Sequence, residues 1–361
     1  MNYFDKFVSN TTAASGNQYI FKMEKGEIRT ARAFYKIFAG GKYNYSLLFS
    51  NIMDSTFADG SESPKNMICE PWRIHSAKLG RCKKAGADVN IEKWTDVTFD
   101  GNPSKEVAPG EFFSTDPIEL EFEKDEYICV ELTFSGTKLP HHYERPVPVF
   151  VKEGDEWTES CCMPLPGMVG CDRKVKKTIG FWGDSITQGV GTECDSYDHW
   201  VAKLAELLGE DYAVWDLGIG YARGKDAASL GAWYYKAKHC DVVLMAFGVN
   251  DVYHEPDTAE EIGKNIEKLV DWLHKEGKKV MVQSVPPFGY EEPKRTRWYD
   301  LNKYVSEVVA PKADGFFVNT DFLGAEGERH KTVYGGHPNA EGCKVWANTF
   351  YPVMKEFLEN L

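Results

Sequence analysis

From Tyr43 to Phe49 an apolar side chain recurs at every second position, so Tyr43, Tyr45, Leu47 and Phe49 share one side of an extended chain. The same period of two returns at Ile118, Leu120 and Phe122, and again at Ile128, Val130, Leu132 and Phe134. Lys124-Asp125-Glu126 lies between these last two runs and predicts a hairpin connection. Asp100-Gly101 and Ser135-Gly136 mark further turns, and no amphipathic helix interrupts the pattern before about residue 170. The expectation for residues 1–170 is a jelly-roll-like β-sandwich. The stretch from about 135 to 175, rich in Pro, Gly and charge, is expected to connect it to the second half of the chain.

From Lys176 the period changes. Short apolar runs at 177–182, 212–217, 241–247, 279–285 and 315–319 alternate with helical segments. Over 258–276, Ile262, Ile266, Leu269, Val270 and Leu273 form a 3.6-residue stripe, and Thr258 with Glu261 makes a capping box. A last helix is predicted from about 340 onward, with Val345, Trp346, Phe350, Val353 and Phe357 inward. Strand and helix in alternation predict right-handed crossovers, hence an α/β domain over 171–361 with a parallel sheet between two helical layers. In such sheets ligands bind beyond the carboxyl ends of the strands.

Composition narrows the class. A chain of 361 residues is long enough for about two domains. Its formal charge of -13 argues against a nucleic-acid partner, which needs clustered Lys and Arg. No run approaches the ~18 apolar residues of a membrane span, and the opening residues lack a basic region followed by an apolar one, so a cytoplasmic protein without membrane contact is expected. The nine cysteines are odd in number and scattered, with no Cys-x-x-Cys and no clustered histidines. They are expected to be reduced, with adjacent Cys161 and Cys162 belonging to the connection, and neither a metal nor another cofactor is expected.

The strand-end rule makes a test, and the chemically able residues meet it. Asp184-Ser185 follow the first run, within Phe181-Trp182-Gly183-Asp184-Ser185-Ile186-Thr187-Gln188-Gly189-Val190-Gly191-Thr192; Gly218 to Tyr221 follow the second; Gly248-Val249-Asn250-Asp251 follow the third. His337 stands just before the last helix in Gly335-Gly336-His337-Pro338-Asn339, whereas His330 sits in a charged run. In this order the four blocks resemble those of the SGNH hydrolases, a branch of the GDSL esterases and lipases, over about residues 176–361.

The resemblance implies a flavodoxin-like three-layer α/β/α fold and carboxyl-ester hydrolysis. Ser185 would be the nucleophile and His337, whose neutral imidazole titrates in the useful range, its base. The Ser185 amide, the Asn250 side chain and one main-chain N–H from the second block, Gly220 in preference to Tyr221, would receive the oxyanion. Three positions depart from the family pattern. Asp216 stands where the family usually has Asn, Tyr221 where it usually has Gly, and Tyr334 where an aspartate usually orients the histidine. Either another carboxylate, with Asp321, Glu326 and Glu328 nearest in sequence, replaces it, or a backbone carbonyl does and a Ser-His dyad operates; the second is preferred. Some carbohydrate esterases of the superfamily resemble that solution and also carry a leading β-sandwich.

Trp182, Asp184, Tyr221 and His254 are expected to line the substrate site, with Tyr197, His199, Arg223 and Asp251 nearby. Aromatic faces mixed with hydrogen-bonding groups suit a sugar. The expected substrate is therefore a small-molecule or oligosaccharide ester that loses a short acyl group, acetyl foremost. The alternatives are a lipase, lysophospholipase or acyl-thioesterase using the same serine, and a non-catalytic carbohydrate-binding protein. Exposed strand edges in the first half would permit a homodimer.

Overall fold

The computed structural model describes residues 2–54, 66–91, 93–142, 146–254, 256–320 and 331–361. The first half folds as a two-stranded antiparallel sheet, formed by Tyr19–Lys22 and Lys138–His141, and two large antiparallel sheets. In one, Gly41–Ser50 is flanked by Met168–Cys171 and by Phe112–Ser114 and Ile118–Phe122. In the other, Tyr127–Ser135 lies between Arg29–Lys36 and Trp72–Cys82. Tyr45, Leu47 and Phe49 from the first sheet meet Phe34, Ile74, Val130 and Leu132 from the second in one apolar core, as the alternation requires.

The predicted hairpin at 124–126 is not formed. Ile118–Phe122 pairs with Gly41–Tyr45, while Tyr127–Ser135 belongs to the opposite sheet, so Lys124-Asp125-Glu126 crosses from one sheet to the other. Both strands point apolar residues into the same core, but from opposite sides. Alternation reveals which face is buried and not which sheet owns it. The expected connection also differs: Lys138–His141, Val149–Glu153, Glu156–Glu159 and Met168–Cys171 are all strands. Cys161 and Cys162 lie between the last two of these, and all nine cysteines are free.

The second half is a five-stranded parallel sheet: β1 (Lys177–Gly183), β2 (Tyr212–Asp216), β3 (Val242–Ala246), β4 (Lys279–Gln283) and β5 (Gly315–Phe317). Their spatial order is β2-β1-β3-β4-β5, the flavodoxin-like arrangement with its switch point between β1 and β3. The short helix α1 (Ser185–Gln188) starts directly after β1, and α2 (Trp200–Leu208) comes next. After β3 come α3 (Val249–His254) and α4 (Ala259–Lys275); α5 (Lys294–Tyr304) follows β4, and α6 (Ala340–Glu359) ends the chain. The capping box of α4 is present: Thr258 Oγ1 accepts from the Glu261 amide, and Glu261 accepts from the Thr258 amide. Helix α6 buries Trp346 and Phe350 as expected, but with Cys343, Ala347, Met354 and Leu358, leaving Val345, Val353 and Phe357 half-buried at the flanks. The stacked rings of Trp200 and Trp346, 5.1 Å apart, join α2 to α6. Among the described residues no helix is long and apolar enough to cross a membrane.

The two halves share their cores. Phe38, Ala39, Leu48 and Met168 pack with the parallel-sheet residues, and Tyr197 and Ala202 pack into the sandwich. Residues 9–18 are buried throughout and run beside β2, the edge strand of the parallel sheet, where Ala14 bridges Asp216 in parallel register. The Trp215 indole N–H donates to Ser15 Oγ at 2.8 Å, and His199 Nε2–H donates to the Thr12 carbonyl at 2.8 Å.

Candidate active site

Strand β1 ends on Gly183, and Asp184 caps the turn beyond it by accepting the Ile186 amide at 2.9 Å. The cap sets Ser185 at the first position of α1, 9% exposed, at the mouth of the crevice. His337 reaches it from the loop before α6: Ser185 Oγ and His337 Nε2 are 2.9 Å apart. Gly191 makes this approach possible. Its φ is +108°, and a Cβ there would stand 2.5 Å from the Pro338 carbonyl oxygen and 3.2 Å from His337 Cβ.

The other imidazole nitrogen is fixed by main chain. Nδ1–H donates to the Tyr334 carbonyl at 3.0 Å, which leaves Nε2 as an acceptor facing the serine. Phe288 meets the imidazole edge-on at 4.9 Å, and Tyr334 lies 4.7 Å away. Burial among these rings lowers the His337 pKa below its ordinary 6.5, with the Tyr334 carbonyl opposing the shift. Asp321, Glu326, Glu328 and His330, the alternative orienters and base, lie outside the described residues.

Asn250 is held in α3, 5% exposed. One N–H of its amide donates to the Ala222 carbonyl at 3.1 Å, and its side chain lines the same cavity as Ser185. The second-block loop is shaped by Asp216, whose Oδ1 accepts the Gly218 amide at 2.8 Å. Full burial raises the Asp216 pKa well above its usual value, the Gly218 amide opposing the shift. Its Oδ1 offers that amide an acceptor, as an asparagine side-chain oxygen would.

The cavity over Ser185 encloses about 530 Å³ and is lined by Tyr221, His254, Tyr253, Phe288 and Tyr334 beside the polar groups already named. Gly220, the expected oxyanion donor, and Tyr221 and His254, expected to line the site, all border it. Two other expected lining residues do not. Trp182 is fully buried under the sheet among Trp233, Tyr234 and Phe247, because strand β1 turns it away from the crevice. Asp184 points down into the cap, where burial raises its pKa to about 7. Tyr197 and His199 are likewise committed to packing, Arg223 is paired with Asp226, and Asp251 is buried against the Gly224 amide. Sequence reasoning missed Gln188, Val190, Tyr253 and Phe288, and above all Gln18 and Tyr19 from the first half. Gln188 shares the short helix of Ser185 and was within reach of a local argument; no local signal marks Gln18 or Tyr19.

The sequence model of the GDSL-like lipase/acylhydrolase family matches residues 181–345, a span that begins in β1 and ends in α6 and so contains Ser185, Asn250 and His337. Over residues 181–345 the chain is thus similar to GDSL-like lipases and acylhydrolases. No curated protein matches the sequence. Among solved structures, a family two carbohydrate esterase from Clostridium thermocellum in complex with cellohexaose is similar at 12% identity, covering 98% of this chain and 100% of its own, with a TM-score of 0.44. An acetylxylan esterase from Geobacillus stearothermophilus is similar at 21% identity, covering 51% of this chain and 95% of its own, with a TM-score of 0.40. An alpha/beta hydrolase enzyme from the metagenome of Lake Arreo, Spain, is similar at 21% identity over 51% and 97% of the two chains, with a TM-score of 0.42. Among the described residues no group of three or more His, Cys, Asp or Glu side chains is placed to hold a metal ion.

Proposed function

We propose that the protein is a serine esterase that removes short acyl groups, acetyl foremost, from a carbohydrate. The observation that carries the reading is the 2.9 Å contact between Ser185 Oγ and His337 Nε2 inside a cavity that also holds Asn250. With Nδ1–H committed to the Tyr334 carbonyl, Nε2 takes the hydroxyl proton as Oγ attacks the ester carbonyl. The negative charge that collects on the former carbonyl oxygen is met by the Ser185 amide, the second N–H of the Asn250 side chain and one N–H of the 218–221 loop. Collapse of the tetrahedral species breaks the ester bond, and the imidazolium returns its proton from Nε2 to the departing sugar hydroxyl. Water, deprotonated by the same nitrogen, then releases the acyl group from Ser185.

Substrate size and polarity are read from the lining. Aromatic rings and a histidine surround the mouth, and Val190 is the one aliphatic side chain among the described residues that line it. Rings of this kind stack on sugar faces, whereas a long acyl chain needs an extended aliphatic channel. Rates on acetyl and octanoyl nitrophenyl esters, together with acetate release from acetylated oligosaccharides, test the reading. Preference for acetyl and release of acetate are expected; preference for octanoyl would instead favour a lipase or thioesterase. Failure of Ser185 to react with a fluorophosphonate would leave a carbohydrate-binding protein.

A further inference from the structure

The first half of the chain reaches the cavity through Gln18 and Tyr19, and Gln18 also bonds to the second-block loop. Gln18 is 2% exposed, and its Nε2 donates to the Gly220 carbonyl at 2.9 Å and to the Tyr19 hydroxyl at 3.1 Å. Both N–H bonds of the amide are therefore engaged, and its orientation is set. The accepting carbonyl belongs to the peptide unit whose N–H is that of Tyr221. In a trans peptide the two point in opposite directions, so a carbonyl held toward Gln18 turns the Tyr221 N–H away from the sandwich. Donation to the carbonyl also polarises that N–H and makes it a better donor.

The conformation needs such a hold. Tyr221 has φ +63°, the left-handed region, where a residue with a Cβ is less stable by about 1–2 kcal/mol. Gly220 is gripped from two sides, since a Cβ on it would lie 2.9 Å from Gln18 Nε2 and 3.0 Å from Gln188 Oε1. Gln18 is itself braced by main chain and by a buried ion pair. Its amide donates to the His141 carbonyl at 2.9 Å, and the Asn17 amide donates to Asp54 Oδ2. The same carboxylate oxygen takes Lys236 Nζ at 2.6 Å, from the helix Ala232–Ala237 of the second half. The brace thus starts in one half, passes through the other and returns to the oxyanion loop.

We infer that Gln18 is a positioning residue for ester hydrolysis, holding the Gly220–Tyr221 peptide so that the Tyr221 N–H, rather than that of Gly220, is the loop's donor to the oxyanion. The inference rests on the protein being an esterase. Removing one oxyanion donor lowers turnover about 10²–10³-fold, so loosening one should lower it less. For Gln18→Ala the expected result on nitrophenyl acetate is a fall in kcat of about 10- to 100-fold with KM unchanged, in a variant that still unfolds cooperatively above the assay temperature. Gln18→Glu, of the same shape but without a donor when ionised, should fall at least as far, and the rate at which a fluorophosphonate labels Ser185 should drop in parallel. A wild-type kcat in both variants, or a loss confined to KM, would overturn the positioning role. If the wild-type chain neither hydrolyses esters nor takes the label, the esterase reading goes first and this inference with it.

Discussion

The imidazole of His337 is oriented by the main-chain carbonyl of Tyr334, which accepts its Nδ1–H at 3.0 Å. A carbonyl fixes the tautomer as a carboxylate would, without adding negative charge beside the imidazolium that forms during attack. We propose on this contact that a Ser-His dyad operates. Asp321→Ala should then retain wild-type kcat on nitrophenyl acetate within tenfold; a loss of several orders of magnitude would assign Asp321 to a triad.

Ser185→Ala and His337→Ala should each lower kcat by about 10⁴-fold or more, and combining them should cost hardly more than either alone, because the two groups act as one unit. Kinetics of the single and double variants check this. Additive losses would mean that the 2.9 Å contact is not used in the reaction.

In the proposed reaction Asn250→Ala removes a donor to the developing negative charge. It should keep the fold, lower kcat by about 10²–10³-fold, equivalent to roughly 3–4 kcal/mol, and leave KM near its wild-type value. Wild-type turnover in a folded variant would exclude Asn250 from the oxyanion site.

As the proposed base His337 would act unprotonated, and burial lowers its pKa. Activity should therefore be lost as pH falls through a midpoint below 6.5, measured as kcat/KM on a neutral ester. Asp184, with a pKa raised to about 7, titrates beside the nucleophile, so the profile should be repeated with Asp184→Asn. The acid limb should survive that substitution; its disappearance would assign it to Asp184.

Asp216 gives a stability prediction of the opposite sign. Its folded pKa is raised, so as pH climbs above about 4 the unfolded chain releases a proton that the folded chain keeps, and stability falls. Asp216→Asn retains the acceptor for the Gly218 amide and removes this linkage. The variant should melt higher than wild type at pH 8, by several degrees, with the difference shrinking toward pH 4. A lower melting temperature at pH 8 would contradict a raised Asp216 pKa.

Much of the second half was legible because its signals are local. Five apolar runs became β1 to β5, the Thr258–Glu261 cap starts α4, and Ser185, Asn250 and His337 follow or precede the elements that position them. The sandwich was legible as a class but not in its pairing, since the strands on either side of Asp125 bury residues in one core while belonging to different sheets. Trp182 was misplaced because its strand is covered on both faces, where an aromatic residue before a strand end is as well placed to pack as to bind. Gln18 was invisible for another reason. It meets Gly220 across 202 positions of sequence, and no motif encodes a contact at that distance.

The strand-like passage of residues 9–18 beside β2 also bears on how the protein could be cut down. A fragment beginning near residue 171 would retain the serine, the asparagine and the histidine. It would also leave the rim of its sheet uncovered and deprive the Trp215 indole and His199 of Ser15 and Thr12. Bare ladder positions invite pairing with another molecule, so such a fragment should self-associate rather than behave as a minimal enzyme.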